Sequence, residues 1–388
     1  MKRPARTISY RLIILFLIFP VLTGAQPTGS SSPIYNEDGS VTFVLKRPES
    51  RHVRILCDCA LRSKKYNVNR ENLRSARMTS DKSGLFSYTT LPLAPEVYTY
   101  HFKSHGQKLV DPGNADSIRI SNGKRSVFVM PGSTLTGLCH TDSLYGKTDT
   151  CEFWDSACGK TRRILLYLPP NYDNTELTYP VLYLLHGIDG NELAWHDRGR
   201  AIQMADNLIR QGKAKPMIIA MPDANPKKLI GQNEHVGLLR NLLLYTSWFH
   251  HDFEQIFPQM DSFLSVRYRI SSDMNMRAVA GLSAGAAQSA TLANLYEGNF
   301  KYVGLFSPIV HRKQFPSHRN TIYWIGTGKR DIFHSQSKRF VRKIDTQQIP
   351  YIYYKTPGGH VWRNWRLYLS EFLPSVFKDI ENIPCNGF

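Results

Sequence analysis

The stretch Gly281-Leu282-Ser283-Ala284-Gly285 constrains the fold of this chain more than any other. An apolar run at residues 278–280 precedes it, and a run of small residues at 286–295 follows it. A serine on a sharp turn from a buried strand into a helix needs glycine neighbours, because side chains there crowd its strained backbone. The pattern predicts a strand, turn and helix with Ser283 at the apex, although a plain glycine-rich turn also fits these five residues alone.

The first 25 residues have the pattern of an export signal. Lys2, Arg3, Arg6 and Arg11 are followed by an apolar run at residues 12–22 and small residues at 23–25. This order predicts a cleaved secretory signal peptide over residues 1–25 and a secreted or periplasmic protein. A membrane anchor is the weaker interpretation, because the run is shorter than the ~20 residues that a span needs. We therefore expect no membrane span.

Composition describes a globular chain with a large positive charge. The 388 residues suit two domains, and 42% are hydrophobic and 21% charged. The net charge of +18 becomes +14 once residues 1–25, with four cations and no anion, are removed. Such a charge favours acidic polymers, nucleic acid or anionic surfaces. Because the basic pairs are scattered, we predict a solvated surface with no nucleic-acid partner, compatible with an acid-decorated polysaccharide.

Six cysteines permit up to three disulfides in an exported chain, and their pairing is left open. They are Cys57, Cys59, Cys139, Cys151, Cys158 and Cys385. Cys151 and Cys158 could close a short loop. No C-x-x-C pair recurs with histidines at ligand spacing, so we expect no metal site, and the chemistry below needs no cofactor.

Short alternating runs separated by turn signals predict a small β-sandwich over residues 35–131. The runs lie at residues 41–45, 52–56, 85–89, 97–102 and 126–130. The run at 97–102 with Asp111-Pro112 resembles the immunoglobulin-like early-set modules that precede many carbohydrate-active enzymes. Such modules bind sugars in some proteins and act as spacers in others, and we favour the structural role.

Residues 132–160 are predicted to form a linker and an edge segment, and residues 161–380 an α/β domain. Apolar strand candidates lie at 164–168, 181–185, 217–221, 277–280, 302–306, 323–326 and 351–354. Helix candidates lie at 201–211, 253–266, 286–295, 335–347 and 362–377. This alternation indicates a mainly parallel sheet covered on both faces.

A carboxylate and a histidine follow Ser283 in the order that an α/β-hydrolase fold requires. Asp331 comes after the strand at 323–326, and His360 comes after the strand at 351–354 and two glycines. The order serine, aspartate, histidine matches α/β-hydrolases and differs from the two familiar protease orders. Taken alone, Asp331 could be a helix N-cap and His360 a surface residue. Together they predict a catalytic triad with His360 as general base.

Two further pairs of residues complete the predicted site. The amide of Ala284, after the serine, and that of Ile188, in the loop after the strand at 181–185, are the candidates for an oxyanion hole. Trp195 and Tyr245 could line an aromatic acyl site, although burial in the core is an alternative for both.

Several blocks of sequence resemble one family in particular. They include Tyr-Leu-Leu-His-Gly-Ile at 183–188, Arg-Ala-Val-Ala-Gly-Leu-Ser at 277–283 and Gly-Gly-His-Val-Trp-Arg-Asn-Trp-Arg at 358–366, with others at 199–201, 206–209, 215–218, 221–223 and 302–307. Together they resemble the feruloyl and acetyl-xylan esterases of carbohydrate esterase family one, in particular secreted Bacteroides-type enzymes with an early-set module in front. The resemblance implies a serine esterase that releases hydroxycinnamoyl or acetyl groups from plant polysaccharide or oligosaccharide.

Three residues depart from that family's pattern. Ala284 and Ala286 stand where methionine and glycine are usual, and Asp189 replaces a glycine beside Ile188. The first change removes bulk near the acyl site, and the last adds a charge that would oppose an oxyanion if it pointed inward. Two alternatives therefore stay open: a siderophore esterase acting on a catecholate trilactone, and a glycan-binding protein with a decayed hydrolase domain.

Overall fold

In the computed structural model of the chain, the described residues are 32–59, 74–120, 123–130, 145–188, 190–226, 230, 252–310, 315–316 and 320–378. The predicted signal peptide at residues 1–25 lies outside them, as do Cys139, Asp189, Tyr245 and Cys385. Among the described helices, none combines the length and the apolar character needed to cross a membrane.

The described residues between 34 and 130, which we call the β-module, form two antiparallel sheets. Their strands are β1 (Ile34–Tyr35), β2 (Val41–Lys46), β3 (Val53–Cys57), β4 (Arg74–Arg77), β5 (Thr79–Ser80), β6 (Leu85–Thr89), β7 (Glu96–Ser104), β8 (Gln107–Leu109), β9 (Ser117–Ile120) and β10 (Gly123–Met130). One sheet has the order β1-β2-β6-β5, and the other has the order β4-β3-β7-β10-β9 with β8 paired to β7. The five runs that predicted strands coincide with β2, β3, β6, β7 and β10.

The two sheets share one apolar cluster. Phe43 and Phe86 from the first sheet pack with Ile55, Tyr100 and Phe128 from the second. The rings of Phe43 and Tyr100 lie 4.5 Å apart between centroids. The residues that β2 and β7 give to this cluster alternate along each strand, at positions 41, 43 and 45 and at positions 98, 100 and 102, so one face of each sheet is apolar and contributes to the shared cluster.

The second half of the chain is built on an eight-stranded sheet with the order β11-β12-β14-β13-β15-β16-β17-β18. The strands are β11 (Lys147–Asp155), β12 (Lys160–Leu168), β13 (Val181–Leu185), β14 (Ile218–Pro222), β15 (Arg277–Leu282), β16 (Tyr302–Phe306), β17 (Ile322–Gly328) and β18 (Tyr351–Thr356). Strands β11, β12 and β14 pair antiparallel, and the strands from β14 through β13 to β18 pair parallel. The edge strand β11 falls within residues 132–160.

Helices contribute to an apolar cluster on each face of this sheet. They are α1 (Ala194–Asp197), α2 (Ala201–Arg210), α3 (Asp252–Arg267), α4 (Ala284–Leu295), α5 (His334–Thr346) and α6 (Trp362–Phe372). Leu182 and Leu184 of β13 cluster with residues of α1, α2 and α6, whereas Val181, Tyr183 and Leu185 cluster with residues of α3, α4 and α5. Successive side chains of a strand point to opposite faces of the sheet, so alternate residues of β13 belong to the two different clusters.

Helix α6 ends at Phe372, although the sequence pattern predicts a helix to residue 377. A short 3-10 helix, Leu373–Ser375, follows it. Pro374 lacks a backbone N–H and clashes with the preceding turn, so it cannot continue an α-helix. The apolar pattern of the sequence continues past the end of the helix because Val376 and Phe377 are buried in the core.

The β-module is joined to the sheet domain through buried contacts with α6. Oε1 of Glu96 lies 2.9 Å from Nε of Arg366, and Oε2 lies 3.1 Å from Nε of Arg363. Glu96 is 1% exposed, so both guanidinium groups meet a carboxylate shielded from water. Val97 and Ile118 of the β-module belong to the same apolar cluster as the residues of α6.

Cys57 and Cys59 form a disulfide within the β-module, which answers part of the open pairing. Cys151 and Cys158 are free thiols, so the short loop that they could have closed is not cross-linked.

Candidate active site

Ser283 lies at the turn between β15 and α4 with φ 54° and ψ −114°. A positive φ is unusual for a residue with a side chain and is held only when the surrounding structure fixes it. The two glycines allow the turn: a Cβ on Gly281 would overlap the carbonyl of Gly285, and a Cβ on Gly285 would overlap the carbonyl oxygen of His186. The sequence pattern thus corresponds to a sharp strand-to-helix turn with the serine at its apex.

The structure brings together the three side chains that the sequence singles out. Nε2 of His360 lies 3.0 Å from Oγ of Ser283. Nδ1 of His360 lies 3.1 Å and 3.2 Å from the two carboxylate oxygens of Asp331. With the proton on Nδ1 donated to Asp331, Nε2 is free to accept the hydroxyl proton of Ser283.

Strand ends explain why these distant residues meet. Strands β15, β17 and β18 run parallel, so their carboxyl ends lie at one edge of the sheet. Ser283 follows β15, Asp331 follows β17, and His360 follows β18. The two loops are tied together, because the N–H of Arg330 donates to the carbonyl of Gly358 at 3.1 Å.

Asp331 is held in its ionised form. Burial by itself would raise the pKa of this carboxyl, whose side chain is 0% exposed. The hydrogen bond and charge of His360, with hydrogen bonds from Ser307 and the N–H of Phe333, outweigh burial and bring the pKa below its usual value. The carboxylate can therefore orient His360 and stabilise a positive imidazolium.

Ser307 and Trp365 support this carboxylate, and the sequence reasoning missed both. Ser307 directly follows β16, is fully buried and has φ 54°, like Ser283 at the end of the neighbouring strand. Its hydroxyl donates to Asp331, and Nε1 of Trp365 donates to its oxygen at 3.0 Å. The Trp365 ring also lies edge-on to His360, with 4.9 Å between centroids. A serine directly after an apolar strand beside the nucleophile strand was the available sequence signal.

The two candidate oxyanion amides lie in segments that meet at Ser283. Ala284 is the first residue of α4, where backbone N–H groups have no partner within the helix. Ile188 lies in the loop after β13, where a Cβ on Gly187 would come 3.4 Å from the Cβ of Ser283. His186 holds this loop, with its Nδ1 2.8 Å from the carbonyl of Gly187 and its Nε2 accepting the N–H of Ala224 at 3.0 Å.

The aromatic residues predicted for the acyl site have different outcomes. Trp195 is 1% exposed, packs against Phe306 and Trp362, and donates Nε1–H to the carbonyl of Leu185 at 2.9 Å. The ring is therefore enclosed in the core, which is the alternative that the sequence left open for Trp195. Tyr245 lies outside the described residues.

Within the described part of the chain, the one group of three close metal-ligand side chains is Cys57, Asp58 and Cys59. The two sulfurs are bonded to each other, so neither offers a thiolate. The group also lies in the β-module, outside the sheet that carries Ser283.

Comparison with known proteins places this geometry in context. The family model described as putative esterase matches residues 156–330. An endo-1,4-beta-xylanase/feruloyl esterase of Xylanibacter ruminicola is 25% identical over 368 residues, which cover 91% of this chain and 47% of that protein. The chain thus spans about half the length of this relative.

Two solved structures share the fold. A CE1 ferulic acid esterase from Anaeromyces mucronatus in complex with ferulic acid has a TM-score of 0.54 and 20% identity, covering 62% of this chain and 94% of that one. The enterobactin esterase from Shigella flexneri has a TM-score of 0.60 and 14% identity, covering 87% and 92%. Residues 156–330 thus match a putative esterase model, and the chain is similar in sequence to a xylanase/feruloyl esterase and in fold to solved esterase structures.

Proposed function

We propose that this protein is a secreted serine carboxylic-ester hydrolase that removes feruloyl or acetyl groups from plant polysaccharide or oligosaccharide. One observation carries the proposal: the continuous hydrogen-bonded row from Ser283 through His360 to Asp331. A hydrolase domain that had lost its activity would not need to keep a buried carboxylate, a histidine and a strained serine within hydrogen-bonding distance of one another. The assembled row therefore favours catalysis over a purely glycan-binding role.

The reaction follows from the positions of the protons. His360 takes the hydroxyl proton of Ser283 as Oγ attacks the ester carbonyl carbon, and Asp331 stabilises the resulting imidazolium. The amides of Ala284 and Ile188 donate to the oxyanion. His360 then protonates the departing sugar oxygen. Water, deprotonated by His360, hydrolyses the acyl-enzyme and regenerates Ser283.

The substrate class rests on the relatives. The Xylanibacter ruminicola protein is named a xylanase/feruloyl esterase, and the Anaeromyces mucronatus structure holds ferulic acid. For this chain we propose an acylated plant glycan, with Ala284 leaving more room beside the acyl group than the methionine that is usual at that position. The reaction needs no metal or cofactor.

The remaining parts of the chain are assigned by the same proposal. Residues 1–25 act as a cleaved signal peptide, and the β-module is an immunoglobulin-like early-set sandwich in front of an α/β-hydrolase domain whose mainly parallel sheet is covered on both faces. The buried contacts of Glu96 and Val97 with the hydrolase domain support a structural role for the β-module.

A siderophore esterase is the second candidate. The enterobactin esterase structure covers 87% of this chain, whereas the ferulic acid esterase structure covers 62%. The larger coverage extends into the β-module, and a basic protein suits an anionic iron chelator. A catecholate trilactone is the substrate that separates this candidate from the first.

The test compares the mature protein and its Ser283→Ala variant on methyl ferulate, 4-nitrophenyl acetate and a catecholate trilactone. Hydrolysis of the ferulate or acetate ester, abolished in a variant that keeps its far-UV circular dichroism, supports the proposal. Preference for the trilactone by kcat/KM supports the second candidate. Turnover of the esters by Ser283→Ala at close to the wild-type rate would overturn both.

A further inference from the structure

Helix α5 presents a row of cations on its exposed face. It buries Ser337, Phe340, Val341 and Ile344, and it exposes Lys338, Arg339, Arg342 and Lys343. We call these four exposed residues the basic stripe. They occupy i, i+1, i+4 and i+5 positions, so their side chains lie next to one another on one side of the helix.

The basic stripe is not neutralised by neighbouring acids. None of the ion pairs found within the described residues involves these four side chains. Asp345, the single acid of α5, accepts a hydrogen bond from the Tyr351 hydroxyl at 3.1 Å. Like charges at i and i+4 disfavour the helix, so the stripe adds nothing to the stability of α5.

The stripe is also unlike the other long helix of this face. Helix α3 carries Asp252, Glu254 and Asp261 against Arg267, so its charges are mainly acidic. Of these two helices, α5 therefore carries the excess of positive charge.

The basic stripe leads to the catalytic edge of the sheet. Lys329 and Arg330 are exposed and directly precede Asp331. Their N–H groups donate to the carbonyls of Thr356, at the end of β18, and of Gly358, in the loop before His360. Helix α5 begins at His334, just after Phe333, whose ring lies 5.1 Å from that of His360. Exposed cations thus lie both at the rim of the site, on Lys329 and Arg330, and along α5, the helix that begins at that rim.

We propose that this surface binds the carboxylates of a uronic-acid-bearing polysaccharide and so holds an acylated acidic glycan with its ester at Ser283. The inference rests on the proposed esterase function and specifies its substrate. Exposed cations attract carboxylates along a polymer, and several weak contacts along one chain add together. Nucleic acid fits the charge but carries no carboxylic ester to place at Ser283.

The experiment measures binding without turnover. Ser283→Ala protein is titrated with glucuronoxylan and with the same polymer after chemical reduction of its carboxyl groups. The stripe variant adds Lys338→Gln, Arg339→Gln, Arg342→Gln and Lys343→Gln. A control variant loses the same charge at exposed positions elsewhere, through Arg51→Gln, Lys82→Gln, Lys213→Gln and Lys215→Gln.

We expect glucuronoxylan to bind more tightly than its reduced form, and the stripe variant to lose about tenfold in affinity and most of that preference. The control variant should change by less than about twofold, and the preference should weaken as NaCl is raised, because salt screens exposed charges. Equal binding of both polymers, equal losses in the two variants, or tighter stripe-dependent binding of duplex DNA would overturn the inference. Because turnover is not measured, failure of the esterase proposal would appear separately, in the ester assays above.

Discussion

Removal of the Ser307 hydroxyl tests whether the buried support of Asp331 contributes to catalysis. In Ser307→Ala the Asp331 carboxylate loses the hydrogen bond from the serine hydroxyl, and a hydrogen bond to a charged group of this kind is worth about 1.5–3 kcal/mol. Trp365 also loses the acceptor of its Nε1–H. If half or more of that energy acts in the transition state, kcat/KM falls by roughly 4- to 160-fold. The hydroxyl also lowers the pKa of Asp331, so its loss raises that pKa.

The sign of the pH effect follows from that shift. A carboxyl with a raised pKa takes up a proton at a higher pH, and a protonated Asp331 has lost the negative charge that stabilises the His360 imidazolium. The acid limb of kcat/KM against pH should therefore move to higher pH in Ser307→Ala. The assay is methyl ferulate hydrolysis from pH 4 to pH 9.

Two control variants separate the effect of losing the Ser307 hydroxyl from effects of the backbone conformation and of losing a buried hydroxyl in general. Ser307→Gly also removes the hydroxyl but relieves the positive φ, so it should be at least as stable as Ser307→Ala and equally slow. Ser126→Ala removes a buried hydroxyl that accepts the N–H of Asp111 in the β-module, so it should cost stability and leave the pH profile unchanged. Recovery of activity in Ser307→Gly, or a wild-type rate and profile in Ser307→Ala, would refute the reasoning.

Three further predictions follow from buried groups. Glu96→Ala leaves Arg363 and Arg366 without their buried carboxylate partner, so the free energy of unfolding measured in urea should fall by about 3–5 kcal/mol. A fall of less than about 1 kcal/mol would contradict a structural role for the β-module. Burial, with nearby positive charges, lowers the pKa of His101 from 6.5 to about 4, so the stability that this shift contributes is present above pH 6.5 and is lost as the pH falls through 4. In His101→Gln the urea concentration at the unfolding midpoint should therefore change less with pH over that range, and an equal slope of midpoint against pH in the variant and the wild type would contradict this. Gly285→Ala places a Cβ against the carbonyl oxygen of His186, so activity and thermal stability should both fall, and an unchanged Tm would show that the turn has more room than the structure gives it.

The elements around Ser283 could be predicted from sequence because their signals are local. The apolar strand, the glycines and the small-residue helix lie within residues 277–295, and the strands before Asp331 and His360 are equally continuous. The observed helix α4 begins at Ala284, two residues before the prediction, because the turn passes directly into the helix.

The features missed from sequence depend on contacts between distant segments. The role of Ser307 arises only when β16 lies beside β17 and α6 brings Trp365 over the strand ends. The choice between pocket and core for Trp195 stayed open because its burial by Phe306 and Trp362 cannot be read from its neighbours in the chain. The two-residue strands β1 and β5 carry too few residues for an alternating pattern.

The most direct test of the account is to trap the acyl-enzyme. Mature protein is mixed with 4-nitrophenyl acetate, quenched with acid within milliseconds, and digested for peptide mass spectrometry. We expect an acetyl group on Ser283 that is absent in Ser283→Ala and forms far more slowly in His360→Ala. Hydrolysis with no adduct on Ser283, or equally rapid acetylation of Ser283 in His360→Ala, would contradict it.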